Sequence, residues 1–489
     1  MPEERPIRIA IVGAGIAGLT LANALLRKPK SDAAENHPGF EVHVYEAKPG
    51  FTGRGWGIGL AGNAQKALNY CAPEVLNKIV ETSASVARGT VTMIGSGKYA
   101  GTEVMTIAAP VTTPQDAKEG ETKKKVGAVG VYRKEFINDL KELYEKIGDK
   151  DSLHFGKELA SVVVGAEEAG VDLSFTDGSS EHFDAVIGAD GYRSVVRKHV
   201  LGEKKAEEQA ATRAGFWNVT TVVPMEVAKE TLYKPLRESL RRDNPDDQDK
   251  VDAYFGENHD LNRPSTWAWV GGSFTVLSSA RNNKDVGILL AGVEEEPWKE
   301  RKQLMTRDMI KKLSKGWTEG PYLTPLLDTL FHDEPEIYGY NHWHFPKTST
   351  YNNGRLCVIG DAAHATTPWQ ASGAAISIED AMIMSHLLWN ISNPSQLHLS
   401  SAFEAFTEVR IDRCQHVIES SDRMGKLMCG LNPDAGSQNP DTGYFEFEPT
   451  KMKGLLTGRW DKIWNVSQED HRQDAKMRLE RKIAEGTAE

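Results

Sequence analysis

Three glycines near the start of the chain have the spacing of a phosphate-binding turn. Gly13, Gly15 and Gly18 follow the apolar, β-branched run at residues 7–12 and lead into the apolar segment LTLANALL. In such a turn the first glycine permits the tight bend, the second lets the backbone approach a pyrophosphate, and the third lets a helix pack on the strand. Glu46 ends the next apolar strand, where an acidic side chain accepts hydrogen bonds from a ribose hydroxyl. Together these residues predict a dinucleotide site.

Two later motifs also place an aspartate directly after a buried strand. The segment AVIGADG contains Asp190 and Gly191, and the segment RLCVIGD ends on Asp361. The second motif continues into a loop of mostly small residues, 368–374, that leads to a helix. Small residues let a flat ring system meet backbone N–H groups closely, and amides at a helix start stabilise negative charge on that ring. We expect the three motifs to converge on one bound ligand.

The histidines near these motifs form no clear catalytic or metal-binding pattern. His364 follows Asp361, where a role as general base is one interpretation of its position. His342 and His344 bracket Trp343, but a third metal ligand at a suitable spacing is missing, so a strand or loop surface is predicted. The sequence also has no GxSxG motif of a serine nucleophile. We therefore predict no metal site.

The composition excludes several classes of partner. The 489 residues carry a formal net charge of -11, whereas binding to a nucleic-acid backbone needs clustered lysine and arginine. The cysteines Cys71, Cys357, Cys414 and Cys429 form no ligand or disulfide pattern and indicate a reducing compartment. The first strand begins too early for a signal peptide before it, and no apolar run reaches the roughly 20 residues of a membrane span. We expect a cytoplasmic protein that binds no nucleic acid and has no transmembrane segment.

The order of elements predicts two interleaved domains and a helical tail. The first 60 or so residues form a βαβ unit, which implies a parallel sheet, and a glycine-rich turn follows at 55–62. Aromatic-rich, strand-like segments from about 213 to 295 indicate a second domain on a mixed or antiparallel sheet. We predict a nucleotide-binding domain at 1–85, 128–212 and 350–400, a second domain at 86–127 and 213–349, and a C-terminal helical segment at 401–489.

Taken with the N-terminal glycines, the Asp190 and Asp361 motifs resemble the three fingerprints of the group A flavoprotein monooxygenases, the aromatic hydroxylases. The wording GDAAHATTP and the C-terminal phrase DKIWNVSQED are closest to fungal enzymes of the salicylate hydroxylase-like type. The resemblance implies an α/β fold with a Rossmann-like FAD-binding domain of the GR2, para-hydroxybenzoate hydroxylase type. This domain would be interleaved with a mixed β-sheet substrate domain and followed by a helical C-terminus.

By position, the resemblance also implies which residues contact the cofactor. Glu46 would bind the adenosine ribose, Arg133 would lie near the adenine-side phosphate or ribose, and Asp361 would bind the ribityl chain or pyrophosphate. Asp190 would orient phosphate contacts for FAD and for the nicotinamide cofactor. Ala371 stands in the flavin loop where the family more often has glycine. The predicted FAD-binding residues are Gly13, Gly15, Gly18, Glu46, Gly59, Arg133, Asp190, Gly191, Asp361, Pro368, Gly373 and Ala374.

The substrate strand departs from the family pattern. Fungal relatives often hold a phenolate or carboxylate with an arginine in the strand GFWNVTTVVP and a tyrosine on a neighbouring strand. Here this neighbourhood offers Trp217, Asn218 and Thr220, and the neighbouring strand SFTVLSSA has no tyrosine. Either Arg213, some residues earlier, reaches the pocket by a shift of register and takes a catalytic role, or the substrate is less anionic. Trp269 completes the predicted substrate pocket, although tryptophans in strands more often belong to a core.

The resemblance implies an FAD-dependent monooxygenase. NADPH or NADH would reduce FAD, O2 would form a flavin C4a-hydroperoxide, and one oxygen atom would pass to an aromatic, phenolic or related secondary-metabolite substrate. One alternative keeps the fold but catalyses epoxidation, oxidative rearrangement or Baeyer–Villiger-type oxidation. A second is a non-catalytic flavin-binding redox module, and a third is an NAD-dependent dehydrogenase that uses only the first βαβ unit. The oligomeric state stays open, and a homodimer is compatible with the sequence.

Overall fold

The computed structural model describes most of the chain. The described residues are 5–29, 37–51, 57–82, 86–87, 89–107, 127–149, 151–166, 169–243, 266–280, 284–317, 322–333 and 335–487. Much of the predicted second-domain segment 86–127, namely residues 108–126, lies outside them. The described strands are β1 (Ile7–Val12), β2 (Phe40–Glu46), β3 (Gly57–Leu60), β4 (Val86–Ala87), β5 (Thr90–Ile94), β6 (Glu103–Ile107), β7 (Ala128–Tyr132), β8 (Leu153–Phe155), β9 (Leu159–Val164), β10 (Val171–Phe175), β11 (Ser180–Phe183), β12 (Ala185–Gly188), β13 (Thr212–Pro224), β14 (Thr266–Gly271), β15 (Ser273–Ala280), β16 (Asp285–Val293), β17 (Lys302–Thr306), β18 (Glu336–His344), β19 (Asn352–Asn353), β20 (Leu356–Val358), β21 (Gly436–Gln438) and β22 (Phe445–Phe447).

Helices lie on and between the sheets. The described α-helices are α1 (Ile16–Leu25), α2 (Gly62–Cys71), α3 (Pro73–Thr82), α4 (Arg133–Ile147), α5 (Val195–Leu201), α6 (Glu203–Glu208), α7 (Met225–Ala228), α8 (Lys234–Asp243), α9 (Arg307–Leu313), α10 (Leu323–Leu330), α11 (Asp361–His364), α12 (Gly373–Trp389), α13 (Gln396–Met428), α14 (Pro449–Leu456), α15 (Asp461–Trp464) and α16 (Gln468–Gly486). A π-turn at Lys229–Tyr233 joins α7 to α8, and 3-10 turns occupy Lys315–Trp317, Pro368–Gln370 and Pro433–Ala435. In the part of the chain described here, no helix is long and apolar enough to cross a bilayer.

A six-stranded sheet carries the three glycine and aspartate motifs. Its strand order is β19-β20-β12-β1-β2-β8, with β1 parallel to β12 and β2, and β12 parallel to β20. Strands β1 and β12 are almost entirely buried, because helices such as α1 and α12 cover the sheet. The predicted βαβ unit and parallel sheet are therefore present, and the turns that follow β1, β12 and β20 meet at one edge of the sheet.

A mixed eight-stranded sheet forms the second layer of the molecule. Its order is β17-β18-β13-β16-β15-β14-β5-β6, and its pairs are antiparallel except for the parallel pair β14–β5. Alternate residues of the strands face a cluster of buried aromatic and aliphatic side chains that the helices α7 to α10 cover. The mixed or antiparallel sheet predicted for this region is therefore confirmed.

The glycine-rich segment after the first βαβ unit is a strand as far as it is described. Residues 57–60 form β3, which pairs antiparallel with β7 so that Gly59 lies opposite Gly130. The prediction of a turn was wrong for these residues, because pairing with a distant strand overrides the local preference of glycine for turns.

The C-terminal region packs on both layers. Helix α13 is 33 residues long, and its apolar residues contribute to the core of the parallel sheet and, near Met424, to a separate cluster under the mixed sheet. The region is mostly helical, as predicted, but it also contains the hairpin β21–β22.

Candidate active site

One cavity of about 1400 Å³ lies where the two sheets meet. Gly15, Gly191 and Asp361, which follow β1, β12 and β20, line it on one side. Residues of the mixed sheet, among them Asn218 and Leu289, line it on the other side. Ligands of open α/β sheets bind beyond the carboxyl ends of the parallel strands, so this is the position expected of a site. The tertiary structure therefore brings the three motifs to one cavity.

The glycine turn has the local geometry that its sequence predicts. Gly13 has a φ of +109°, and a Cβ there would lie 2.3 Å from the carbonyl oxygen of Ala189. A Cβ on Gly18 would lie 2.0 Å from the carbonyl oxygen of Gly13. Gly15 lines the cavity, and a Cβ on it would meet nothing within 4 Å. The first and third glycines therefore have no room for a side chain, whereas the second faces the open cavity. A phosphate in the cavity could then approach the backbone at Gly15 closely.

Glu46 braces this turn. One carboxylate oxygen accepts a hydrogen bond from the Ala14 N–H at 3.2 Å, and the other accepts one from the Lys48 N–H at 3.0 Å. Further along the same side, Arg133 begins α4 and lines the cavity together with Gly59. Glu46 itself is not among the residues that line the cavity, so a ribose contact by this side chain stays a prediction.

The Asp190 side chain holds the turn of the second motif from the side that faces away from the cavity. Its Oδ2 accepts a hydrogen bond from the Val195 N–H at 2.7 Å, at the start of α5, while its buried Oδ1 has no partner among the described residues. Burial raises the pKa of the Asp190 carboxyl, against the effect of its hydrogen bonds. Gly191, with a φ of +77°, reaches the cavity, whereas the Asp190 side chain does not. The aspartate therefore positions the turn, and the backbone beside it faces the ligand space.

The third motif presents a carboxylate and a helix start to the cavity. Asp361 is exposed and lines the cavity, as do Pro368, Gly373 and Ala374. Gly373 and Ala374 form the first positions of α12, where backbone N–H groups have no partner within the helix. Ala371 has a φ of +50° and is the one non-glycine residue with a positive φ in the described chain. The loop thus needs, at this position, the left-handed backbone that glycine adopts most easily.

These residues fit a bound FAD. The cavity exceeds the 300–1,000 Å³ or so of ordinary small-ligand pockets, as a cofactor and a substrate together require. Gly15, Gly59 and Gly130 line it, and a Cβ on any of them would project into open space. The backbone N–H groups of the glycine turn and the guanidinium of Arg133 could donate hydrogen bonds to phosphates. The N–H groups at the start of α12 could stabilise negative charge on a bound ring.

His364 lies behind the flavin loop and does not line the cavity. Its Nε2 is 2.5 Å from Oδ2 of Asp380, and both side chains are fully buried. Burial opposes protonation, but the Asp380 carboxylate raises the pKa of His364 well above its ordinary value. The same Asp380 oxygen accepts the Gly360 N–H at 2.8 Å, so it fixes the backbone just before Asp361. This placement gives His364 a structural role and no contact for general-base catalysis.

A buried cluster that the sequence pattern did not indicate surrounds this pair. The ligand atoms of His364, Asp380 and Cys414 lie within 4.8 Å of one another. Arg410, on α13, donates from Nε to Oδ1 of Asp380 at 2.8 Å and from Nη1 to Glu379 at 2.9 Å. Because protein groups already bind both Asp380 oxygens, the cluster is an ion-pair network that joins α12 to α13.

The predicted substrate residues divide between the two faces of the mixed sheet. Asn218 and Thr220 line the cavity. The prediction was wrong for Trp217 and Trp269, which are buried in the apolar cluster on the opposite face. Successive side chains of a strand point to opposite faces, so Trp217 must face away if Asn218 faces the cavity.

Arg213 does not reach the cavity. Arg213 pairs directly with Trp343, before the pairing of β13 with β18 shifts between Arg213 and Trp217. Its guanidinium lies over the ring of Trp343, 5.7 Å from the centroid, and Arg213 is absent from the cavity lining. The catalytic role considered for Arg213 is therefore not supported by its position.

His342 is buried and lines the cavity, in contrast to the surface position predicted for it. Its Nε2 lies 2.9 Å from Oδ1 of Asn218. Burial lowers the pKa of His342 to about 3, so the ring is neutral near neutral pH. Tyr340 pairs with Asn218, and His342 lies two residues further along β18, so strand alternation places both residues on the face of Asn218. The sequence of the NHWHF segment alone does not show which face of β18 is covered.

The centre of the remaining wall on the mixed sheet is apolar, while Thr92, Thr266 and Asp285 also line the cavity. Alternate residues of β14, β15 and β16 face the cavity, including Ala268, Phe274 and Leu289. Trp369, in the flavin loop, lies against Phe274 with ring centroids 5.3 Å apart. The alternation of residues along β15 and β16 would identify these positions from the sequence, if it were known which face of the sheet meets the cavity.

Two family descriptions match parts of the chain. The family described as FAD binding domain matches residues 326–418, which include the Asp361 motif and the flavin loop. The family described as NAD(P)-binding Rossmann-like domain matches residues 11–66, which include the glycine turn and Glu46.

Whole-length relatives are similar over both layers of the fold. A 6-methylsalicylate 1-monooxygenase of Aspergillus terreus is 27% identical over 97% of this chain and 93% of its own length. A salicylate hydroxylase of Sarocladium schorii is 27% identical over 87% of this chain and 82% of its own. A solved structure, a salicylate hydroxylase substrate complex, has a TM-score of 0.71 and 22% identity over 96% of this chain and 98% of its own.

The chain therefore has the fold of a salicylate hydroxylase, with a Rossmann-like domain that matches nucleotide-binding families and with a helical C-terminus. Over most of its length the chain is also similar to proteins named as FAD-dependent monooxygenases and salicylate hydroxylases.

Proposed function

We propose that this enzyme hydroxylates an aromatic, phenolic substrate, with FAD as bound cofactor, NADPH or NADH as electron donor and O2 as co-substrate. The observation that carries the proposal is the single cavity that joins the glycine turn, the Asp361 loop and the apolar wall of the mixed sheet. A flavin seated on the Asp361 loop would face that wall across a space large enough for an aromatic ring. The relatives named for 6-methylsalicylate and salicylate also favour an aromatic substrate.

Bound FAD, once reduced, would supply the activation of O2. The protein would contribute position and a dry environment. Gly15 and the start of α12 would hold the phosphate and ring ends of the cofactor, while Phe274 and Leu289 would exclude water from the substrate. Asp361, which begins α11 after β20, would hold the ribityl chain or the pyrophosphate between the two ends of the cofactor.

Other oxygenations on the same fold form a second candidate. Epoxidation, oxidative rearrangement or Baeyer–Villiger-type oxidation would suit a substrate that carries no acidic group. This candidate is favoured by the position of Arg213, whose guanidinium lies on Trp343 and outside the cavity lining.

Spectroscopy and turnover test the proposal together. Protein loaded with FAD should absorb near about 450 nm and should oxidise NADPH or NADH faster when a phenol is added. Mass spectrometry should then find product that has gained one oxygen atom. A yellow protein with neither stimulated oxidation nor H2O2 release would indicate the non-catalytic flavin-binding module. Protein that takes up no flavin at all would revive the dehydrogenase alternative.

A further inference from the structure

Asn218 and His342 form a polar pair in the apolar wall of the cavity. Asn218 lies on β13 and His342 on β18, and the His342 Nε2 is 2.9 Å from the Asn218 Oδ1. Both residues line the cavity, and the imidazole centroid is 5.6 Å from the ring of Trp369 in the flavin loop. The pair therefore faces the space between the flavin loop and the mixed sheet.

The protonation of the pair follows from its burial. The residue His342 is 7% exposed, and burial lowers its pKa to about 3, so the ring carries one N–H near neutral pH. The Asn218 Oδ1 has only lone pairs, so the proton shared between them belongs to the His342 Nε2. The His342 Nδ1 is enclosed and has no partner in the described chain. The imidazole therefore donates a hydrogen bond from its Nε2 to the Oδ1 of Asn218.

This hydrogen bond fixes the orientation of the Asn218 amide. With Oδ1 held by His342, the two N–H bonds of Nδ2 must point elsewhere. Within the described residues no protein group accepts from Nδ2, and this atom is not among the enclosed polar atoms that lack a partner. The Asn218 Nδ2 is therefore free to donate a hydrogen bond to an oxygen of a ligand in the cavity.

Three basic side chains, Arg133, Lys284 and Arg301, line the cavity, but no hydrogen bond joins any of them to Asn218 or His342 in the described chain. Arg133 begins α4, and Lys284 precedes Asp285, which pairs with Pro224, six residues from Asn218. Arg213, the nearest arginine along β13, points onto Trp343 and does not line the cavity. Arg301 lines the cavity but lies over the ring of Tyr192, 4.6 Å from its centroid. A carboxylate desolvated against an apolar wall without a paired cation costs several kcal/mol, whereas a neutral oxygen needs only a hydrogen-bond donor.

We infer that Asn218 orients the aromatic substrate by donating a hydrogen bond from Nδ2 to an uncharged phenolic or carbonyl oxygen, and that His342 positions this amide. The substrate class selected is an aromatic ring with a neutral oxygen substituent and no requirement for a carboxylate. Asn218 touches the substrate, whereas His342 acts through Asn218. This inference rests on the aromatic hydroxylase function proposed above.

Binding of two matched probes to the FAD-loaded protein tests the substrate class. The probes 3-methylphenol and 6-methylsalicylate share a ring, a hydroxyl and a methyl group, and only the second carries a carboxylate. Titration calorimetry and the change in flavin absorbance should both give 3-methylphenol the lower or an equal dissociation constant. If the carboxylate-bearing probe instead bound with a dissociation constant ten times lower than its neutral counterpart, the assignment would be overturned.

Substitutions test the two residues separately. Asn218→Ala should weaken binding of the neutral probe, with its dissociation constant and its KM both raised about tenfold, as expected for one lost hydrogen bond. His342→Leu should produce a smaller rise and more H2O2 per turnover, because the amide is free to rotate. His342→Gln, whose amide can still donate to Asn218, should recover binding to within about threefold. His344→Leu, two residues further along β18 and outside the cavity lining, is the matched control and should change neither quantity.

The outcomes separate this inference from the proposed function. Flavin absorbance and circular dichroism establish that each variant is folded and loaded. If the parent enzyme hydroxylates a phenol while Asn218→Ala and His342→Leu bind it unchanged, the pair has no role in recognition and only the inference fails. If the parent enzyme oxidises NADPH and NADH equally with and without every aromatic tested, the proposed function fails, and the role of Asn218 fails with it.

Discussion

At the scale of single residues, the glycines of the first motif perform different tasks. Gly18 has no room for a side chain because its Cβ would meet the Gly13 carbonyl oxygen, whereas Gly15 faces the cavity with nothing within 4 Å. The spacing of the motif predicted these separate roles in packing and in ligand approach, because strand, turn and helix are consecutive in the chain.

Alanine at Gly18 and at Gly15 should therefore affect different properties. Gly18→Ala should lower the free energy of unfolding of the apoprotein by about 1–3 kcal/mol, the usual cost of overpacking. Gly15→Ala should leave that energy within about 0.5 kcal/mol of the parent value but weaken FAD binding at least tenfold. Urea unfolding and flavin fluorescence titration measure the two effects. Equal losses of stability in both variants would contradict the assignment.

His342 also makes a pH dependence measurable. Burial lowers its pKa to about 3, below the value near 6.5 of the unfolded chain, so the unfolded state binds the extra proton between these values. Its contribution to stability is therefore complete above about pH 6.5 and falls by about 1.4 kcal/mol per pH unit below it. Between pH 7 and pH 5, apoprotein with His342→Gln should lose about 2 kcal/mol less stability than the parent protein. Above about pH 7 the difference in stability between the two proteins should stop changing with pH in the same urea titrations.

At the scale of elements, the ion-pair network between α12 and α13 holds the flavin loop in place. Arg410 donates to Asp380 and Glu379, and Asp380 in turn binds His364 and the Gly360 N–H. The network thus ties two helices to the backbone just before the Asp361 carboxylate. Arg410 lies 30 residues from Asp380 and 31 from Glu379 in the sequence, so no local sequence pattern reveals the network.

Removal of the arginine should be far more costly than removal of a surface ion pair. Arg410→Met leaves two buried carboxylates with fewer partners and should lower the free energy of unfolding by about 3–5 kcal/mol. Arg478→Met breaks partly exposed pairs with Glu408 and Asp474 and should cost no more than about 1 kcal/mol. Chemical denaturation of both variants provides the measurement. Similar losses would show that the buried network is no stronger than a surface pair.

At the scale of the whole molecule, the cavity is bounded by both sheets and by the C-terminal region. Trp460 and Trp464, near α15, line it together with Trp343 and Trp369. A ligand in this cavity therefore contacts distant parts of the chain at once, and its binding energy adds to the stability of the whole.

FAD should stabilise the protein and quench its fluorescence. At about 100 times its dissociation constant, a ligand specific for the folded state adds about 2.7 kcal/mol, which should raise the melting temperature by a few degrees. Energy transfer to the bound flavin should reduce emission from the tryptophans that line the cavity. NAD+ at the same concentration is the control and should shift the melting temperature less. A larger shift with NAD+ than with FAD would favour the dehydrogenase alternative.

The sequence by itself determined the parallel sheet, the three turns that follow its strands and the mixed second sheet, because each depends on consecutive residues with a recognisable period or spacing. Only the tertiary structure decided which face of β13 meets the cavity. That choice excluded Trp217, and it placed His342 on the cavity side because Tyr340, two residues before His342, pairs with Asn218. Arg213 pairs with Trp343 and lies outside the cavity lining. Such placements depend on which strands pair and where they bulge, which are contacts between residues more than a hundred positions apart.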